Sequence, residues 1–106
     1  MYVYRLPSIL GGAVSWSVKL DGKELAVLRQ NAYAVIRAAP GEHLIQVGDV
    51  GSVATAIVNA STKGIRTFNA MPRESYYFRC SGGSQRFVTK EEAMKELVNM
   101  KYDMGL

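Results

Sequence analysis

The chain has 106 residues, 48% of them hydrophobic, enough for one domain with a single sizeable core. Thirteen Lys and Arg against nine Asp and Glu give a net charge of +4, spread from Arg5 to Lys101 without the dense run of a polybasic tail. The lone Cys80 excludes an internal disulfide, and no apolar run approaches the roughly 18 residues of a membrane span.

Residues 1–6 are rich in aromatic and β-branched side chains and stop at Pro7, which predicts a first strand. Met1 opens directly into Tyr2-Val-Tyr-Arg5, so no secretory leader is expected in this stretch. Residues 8–12 read as a short connection. Residues 13–28 then alternate apolar and polar side chains on both sides of Asp21-Gly22, a pair that accepts positive φ at both centres of a type I′ turn. A two-residue hairpin would set Leu20 opposite Lys23, Val18 opposite Leu25 and Trp16 opposite Val27, with the apolar residues on one face.

After a polar break at residues 29–31, a strand is predicted over residues 32–38. Pro40-Gly41 suits the two central positions of a type II turn, so residues 43–47 are expected to return as its hairpin partner. That pairing would place Ile36 opposite Ile45, Ala34 opposite Val47 and Ala38 opposite His43. Residues 53–58 carry small and β-branched side chains, with neither charge nor proline to blunt an edge. The strand over residues 53–58, with Ala56 at its middle, is therefore expected to be covered or to pair with another chain.

Further strands are predicted over residues 65–70 and 75–81. The second has Tyr76, Phe78 and Cys80 on one face, and Tyr77 and Arg79 on the other, which is expected to be exposed. Residues 82–84 turn the chain into Arg86-Phe87-Val88. Only then does the period change. Thr89-Lys-Glu-Glu92 has the spacing of a capping box, Glu91 and Lys95 stand as an i, i+4 pair, and Ala93, Leu97, Met100 and Met104 share one helical stripe. A helix over residues 89–102 is expected. Seven to eight short strands followed by one helix predict a mainly β fold: residues 1–106 form a single antiparallel β-sandwich with a C-terminal α-helix. Its core is expected to gather Trp16, Val18, Leu25, Val27, Ile36, Ile45, Phe78 and Leu97.

The residues capable of chemistry are few. His43 is the only histidine and has no partners clustered near it in sequence, which fits a hydrogen-bonded structural histidine better than a ligand or base. Cys80 alternates with Tyr76 and Phe78, as a buried inert thiol would. Asp21 serves its turn, and Glu91 and Glu92 the start of the helix. The glycine pairs Gly11-Gly12 and Gly82-Gly83 lack phosphate-loop spacing, and no Gly-x-Ser-x-Gly elbow is present. No catalytic, metal or cofactor site is expected. Aromatic and basic residues do interleave in Tyr2-Val-Tyr-Arg5 and Tyr76-Tyr-Phe-Arg79, a pattern that on an open sheet could stack bases and contact phosphates. The shared core parity of Tyr76 and Phe78, and the lack of an RNA-recognition consensus, favour a structural explanation.

The succession Tyr2-Val-Tyr-Arg5, Asp21-Gly22-Lys23, Tyr33, Pro40-Gly41-Glu-His43 and Tyr76-Tyr77-Phe78-Arg79 resembles an uncharacterised bacterial domain of putative lipoproteins. That family is similar in its strand-turn grammar to PEGA-type surface-protein domains. The resemblance implies a small prealbumin-like sandwich in the bacterial cell envelope or periplasm, often behind a lipidated cysteine. Cys80 does not fill that role, since it lies inside a predicted strand. The expected function is accordingly a non-enzymatic interaction or structural module that binds a protein partner or surface polymer. Contact would be made through a sheet edge near Ala56 or through the Tyr77 and Arg79 face, with self-association as one form of it. A membrane would be reached only through an anchor absent from this chain. The alternative function is a nucleic-acid or polyanion binder that uses the basic surplus, and the alternative location is the cytoplasm.

Overall fold

The computed structural model describes residues 1–7, 15–49, 65–81 and 85–102. In chain order the described elements are β1 (Tyr2–Arg5), β2 (Trp16–Leu20), β3 (Lys23–Leu28), β4 (Ala32–Val35), β5 (Gly41–Asp49), β6 (Ile65–Ala70), β7 (Tyr77–Cys80), β8 (Gln85–Val88), α1 (Lys90–Leu97) and β9 (Lys101–Tyr102). The strands form a five-stranded sheet, β8-β7-β1-β4-β9, and a four-stranded sheet, β3-β2-β5-β6. The fold is the mainly β sandwich with a C-terminal helix that the patterning predicts, with nine strands described rather than seven or eight. It is not wholly antiparallel, because β1 pairs parallel with β7 and β4 parallel with β9. The expected strand over residues 53–58, with Ala56, lies outside the described residues, as do the connections at 8–12 and 82–84.

The Asp-Gly hairpin forms where its turn chemistry places it. Asp21 at φ 53° and Gly22 at φ 86° give both central residues the left-handed backbone of a type I′ turn. The register beyond the turn departs from the simple hairpin. Leu20 faces Lys23 and Lys19 faces Glu24, but Val18 then faces Ala26 and Trp16 faces Leu28, because Leu25 is the extra residue of a bulge. One inserted residue reverses the inward parity of the rest of β3. Ala26 and Leu28 therefore become fully buried, while Val27 stays half-buried outside the core.

Pro40-Gly41 does not close a hairpin. β4 pairs with β1, with Tyr2 opposite Val35 and Tyr4 opposite Tyr33, whereas β5 pairs with β2 and β6 in the other sheet. The connection between β4 and β5 is an arch from one sheet to the other, and Gly41 at φ 124° supplies a backbone angle that side-chain-bearing residues avoid. Ile36 and Ile45 still share a core cluster, although their strands belong to different sheets.

Two cores result. Between the sheets lie Val3, Val18, Leu20, Ala26, Leu28, Ala34, Ile36, Ile45, Val47, Phe78 and Cys80, with Trp16, Leu25, Phe68 and Phe87 packed at the margin. Under the helix lie Tyr4, Tyr77 and Ala93, flanked by Tyr2, Leu6, Tyr33, Val88, Leu97 and Met100. Leu97 thus belongs to the second core and not to the one expected to hold Trp16. Arg5 is only 2% exposed: its Nη1 donates to the Leu28 carbonyl at 2.9 Å, and its guanidinium sits 4.0 Å from the Trp16 ring centroid.

The helix starts as predicted, with Thr89 at the N-cap accepting from the Glu92 amide at 3.2 Å. Instead of closing the capping box, the Glu92 carboxylate accepts from Arg86 at 2.9 Å, and Glu91 and Lys95 form no ion pair with each other. The helix ends at Leu97 and not near residue 102. The Met100 amide turns back to the Leu97 carbonyl, and the Lys101 amide donates to Asn31 at 3.1 Å, so the free edge of β4 captures the segment expected to be the last helical turn. No helix among the described residues is long and apolar enough to cross a membrane.

Candidate functional site

Side chains alternate across a strand, so β1 sends Val3 and Arg5 into the sandwich and Tyr2 and Tyr4 to the outer face of the five-stranded sheet. Register brings further tyrosines onto that face: Tyr77 stands beside Tyr2, Tyr33 beside Tyr4, and Tyr102 beside Tyr33. The result is a row of aromatic rings across four consecutive strands. Tyr77 and Tyr2 are stacked, 5.2 Å between centroids at 12°; Tyr2 and Tyr33 follow at 6.3 Å, and Tyr33 and Tyr102 at 5.4 Å. Exposure rises along it, from Tyr77 at 6% to Tyr102 at 59%. Val35, beside Tyr2, is also exposed. None of these four hydroxyls hydrogen-bonds to a described residue, whereas those of Tyr4 and Tyr76 do.

Helix α1 covers the other part of the face through one carboxylate. Glu96 Oε1 accepts from the Tyr4 hydroxyl at 2.6 Å and from Arg79 Nε at 3.0 Å, and its Oε2 accepts from the same nitrogen at 3.2 Å. Burial alone pushes the Glu96 carboxyl up, but the Tyr4 hydroxyl and the Arg79 guanidinium outweigh it and hold it below the usual value. Burial, and then the Glu96 hydrogen bond, raise the Tyr4 phenol well above its ordinary range. The expectation that Tyr77 and Arg79 are exposed is therefore corrected. Their parity is outward, but Tyr77 is buried beneath α1 and Arg79 is held by Glu96.

At the Tyr77 end of the row opens a cavity of about 410 Å³, lined by Arg73, Glu74, Ser75, Tyr77, Val88, Thr89 and Lys90. Arg73 and Lys90 form no ion pair with a described residue, in contrast to Arg79 and Arg86. Sequence reasoning missed Tyr33, Tyr102, Arg73, Lys90 and Glu96 as parts of this surface. A usable signal was present in the six tyrosines against three phenylalanines, since strands that pack a wholly dry face carry few phenols.

The other candidates are committed to structure. Cys80 is fully buried between the sheets, and burial pushes its thiol well above the ordinary value. His43 Nδ1 stands 2.6 Å from Asp21 Oδ2 and Nε2 faces the Ala39 carbonyl, so the doubly protonated ring satisfies both acceptors. Asp21 also accepts from the Leu44 amide at 2.9 Å, tying the β2–β3 turn to β5. Among the described residues no group of three His, Cys, Asp or Glu is arranged to hold a metal ion. Neither a family model nor a curated protein nor a solved structure matches the chain.

The His43 clasp makes a pH prediction. Its hydrogen bond to Asp21, and then that to Ala39, raise the imidazole above 6.5. The stabilisation is fully present below pH 6.5 and is lost as pH rises through the raised folded value. Because the chain has one histidine, its proton NMR titration is a single curve, with a midpoint expected above 6.5 that moves back toward 6.5 in Asp21→Asn. A midpoint at 6.5 in the unaltered protein would show that the clasp is not formed in solution.

Proposed function

We propose that this protein is a non-enzymatic interaction module of the bacterial cell envelope, which holds a partner on the outer face of its five-stranded sheet. The observation that carries this is the row Tyr77-Tyr2-Tyr33-Tyr102, whose rings and uncommitted hydroxyls run across four strands beside the helix. Tyrosine offers large contact area with little rotamer entropy to lose, together with a hydrogen-bonding tip, which is why it is enriched where proteins hold partners. The envelope location is what the lipoprotein-family resemblance implies. The non-enzymatic part is supported by the commitment of the versatile side chains: Cys80 is buried, both His43 nitrogens are engaged, and Glu96 docks the helix.

Polyanion binding is less well supported. Arg5, which the interleaved sequence would offer to a phosphate, lies inside the sandwich, and Arg79 and Arg86 are ion-paired. The test is chemical-shift mapping with a proline-rich peptide, a neutral oligosaccharide and oligo-deoxythymidine. Perturbations are expected to centre on Tyr2, Tyr33 and Tyr102 and to be lost in Tyr102→Ala. Preferential binding of the oligonucleotide, with a steep salt dependence and no response to Tyr102→Ala, would overturn the proposal in favour of a polyanion binder.

A further inference from the structure

We propose that the occupant of the tyrosine row is an extended, proline-rich peptide segment whose acidic residue enters the cavity at the Tyr77 end. This rests on the binding role argued above and names its ligand class.

The ring geometry is the first reason. At 12° and 5.2 Å, Tyr2 and Tyr77 turn their faces to each other, and Tyr33 follows at 34° to Tyr2. The faces that Tyr2 and Tyr77 turn to each other are closed to a nucleobase or a sugar ring, which needs an open platform. What strand side chains standing off a sheet present instead is their far ends, here phenol rims and hydroxyls. A polyproline II segment fits such ridges. It has no internal hydrogen bonds, so its carbonyls are free to accept from tyrosine hydroxyls, and it is already extended before it binds. The three strands that carry Tyr2, Tyr33 and Tyr102 span about 10 Å at the usual spacing, the length of about three residues in that conformation.

Charge is the second reason. Arg73 and Lys90 line the cavity with no ion pair among the described residues, and Glu74 offsets only one of them. Tyr77 lines the cavity and stacks on Tyr2, so a chain lying on Tyr2, Tyr33 and Tyr102 ends beside a site with net positive charge. A carboxylate side chain suits its sign, and the match orients the peptide more than it tightens it.

The experiment titrates the full chain with four probes: a proline-rich nonapeptide bearing one terminal glutamate, its lysine counterpart, a proline-free glycine–serine peptide with the same glutamate, and chitotriose. The glutamate peptide is expected to bind best, and Tyr102→Ala to weaken it about tenfold or more. Tyr102 is exposed, so an unchanged thermal midpoint shows that this variant is folded. The lysine peptide should bind about three- to fivefold more weakly than the glutamate peptide, and Arg73→Ala with Lys90→Ala should remove that difference. Equal binding of the proline-free peptide, or a glutamate preference that survives the double substitution, would overturn the proposal. Tyrosine-dependent binding of chitotriose alone would overturn the peptide while leaving the row as the binding surface. Absence of any Tyr102-dependent binding would overturn both.

Discussion

Phe78→Ala is expected to lower the stability of the protein by about 3–5 kcal/mol, a large part of what a domain this size possesses. Phe78 has no exposed surface and sits on β7 between β1 and β8, where its ring meets Phe87 edge-on at 4.9 Å. Removing it loses the transfer energy of the ring and opens a void that Val3, Cys80 and the opposing sheet fill only in part. Urea unfolding measures the change, and Tyr76→Ala is the comparison. Tyr76 is a partly exposed neighbour whose hydroxyl donates to the Asn69 carbonyl and accepts from the Met71 amide, so its loss should be the smaller. A Phe78→Ala midpoint close to that of the unaltered chain would place β7 outside the core. Trp16→Ala should also destabilise strongly, and for a further reason, since it uncovers the guanidinium of Arg5 packed against the indole.

Glu96→Ala should cost about 2–3 kcal/mol and loosen α1 selectively. The carboxylate is the shared acceptor of the buried Tyr4 hydroxyl and of Arg79, so its removal leaves a donor at 0% exposure without its partner. Glu96→Gln keeps an acceptor and gives up the charge, and should cost clearly less. The expected signature is regional: amides of α1 and β9 exchange faster while those between the sheets keep their protection. Acid acts on the same contact. Because the folded carboxyl lies below its ordinary value of 4.5, its contribution is present above pH 4.5 and fades as pH falls through the lowered value. Uniform loss of protection throughout the molecule would show instead that helix and sandwich unfold as one unit.

The candidate surface was legible only in fragments. The outward parity of Tyr77 and Arg79 could be read from the alternation of β7, but not what lies on top of them. Alternation identifies two faces, and an inward–outward pattern means buried and exposed only when one face meets water. Here part of the second face of the five-stranded sheet is covered by α1, so Tyr4 is as hidden as Val3 and Tyr77 nearly so. Tyr33 and Tyr102 belong to segments 69 positions apart in the chain, and no local pattern joins them.

What the sequence determined by itself is whatever depends on a few adjacent residues. The Asp21-Gly22 turn and the Thr89 cap are set by local sterics and local hydrogen bonds, and both stand where their residues put them. The tertiary structure decided which strands are neighbours. Pro40-Gly41 has the residues of a hairpin turn, yet the chain crosses between sheets there, because covering the apolar face of β2 and β3 requires a second layer and β4 supplies part of it beside β1. The Leu25 bulge, the early end of α1 and the assembly of four tyrosines into one row follow from the same cause. Backbone edges and side-chain faces must be satisfied by partners far away in the sequence, and those partners exist only once the sheets have closed on each other.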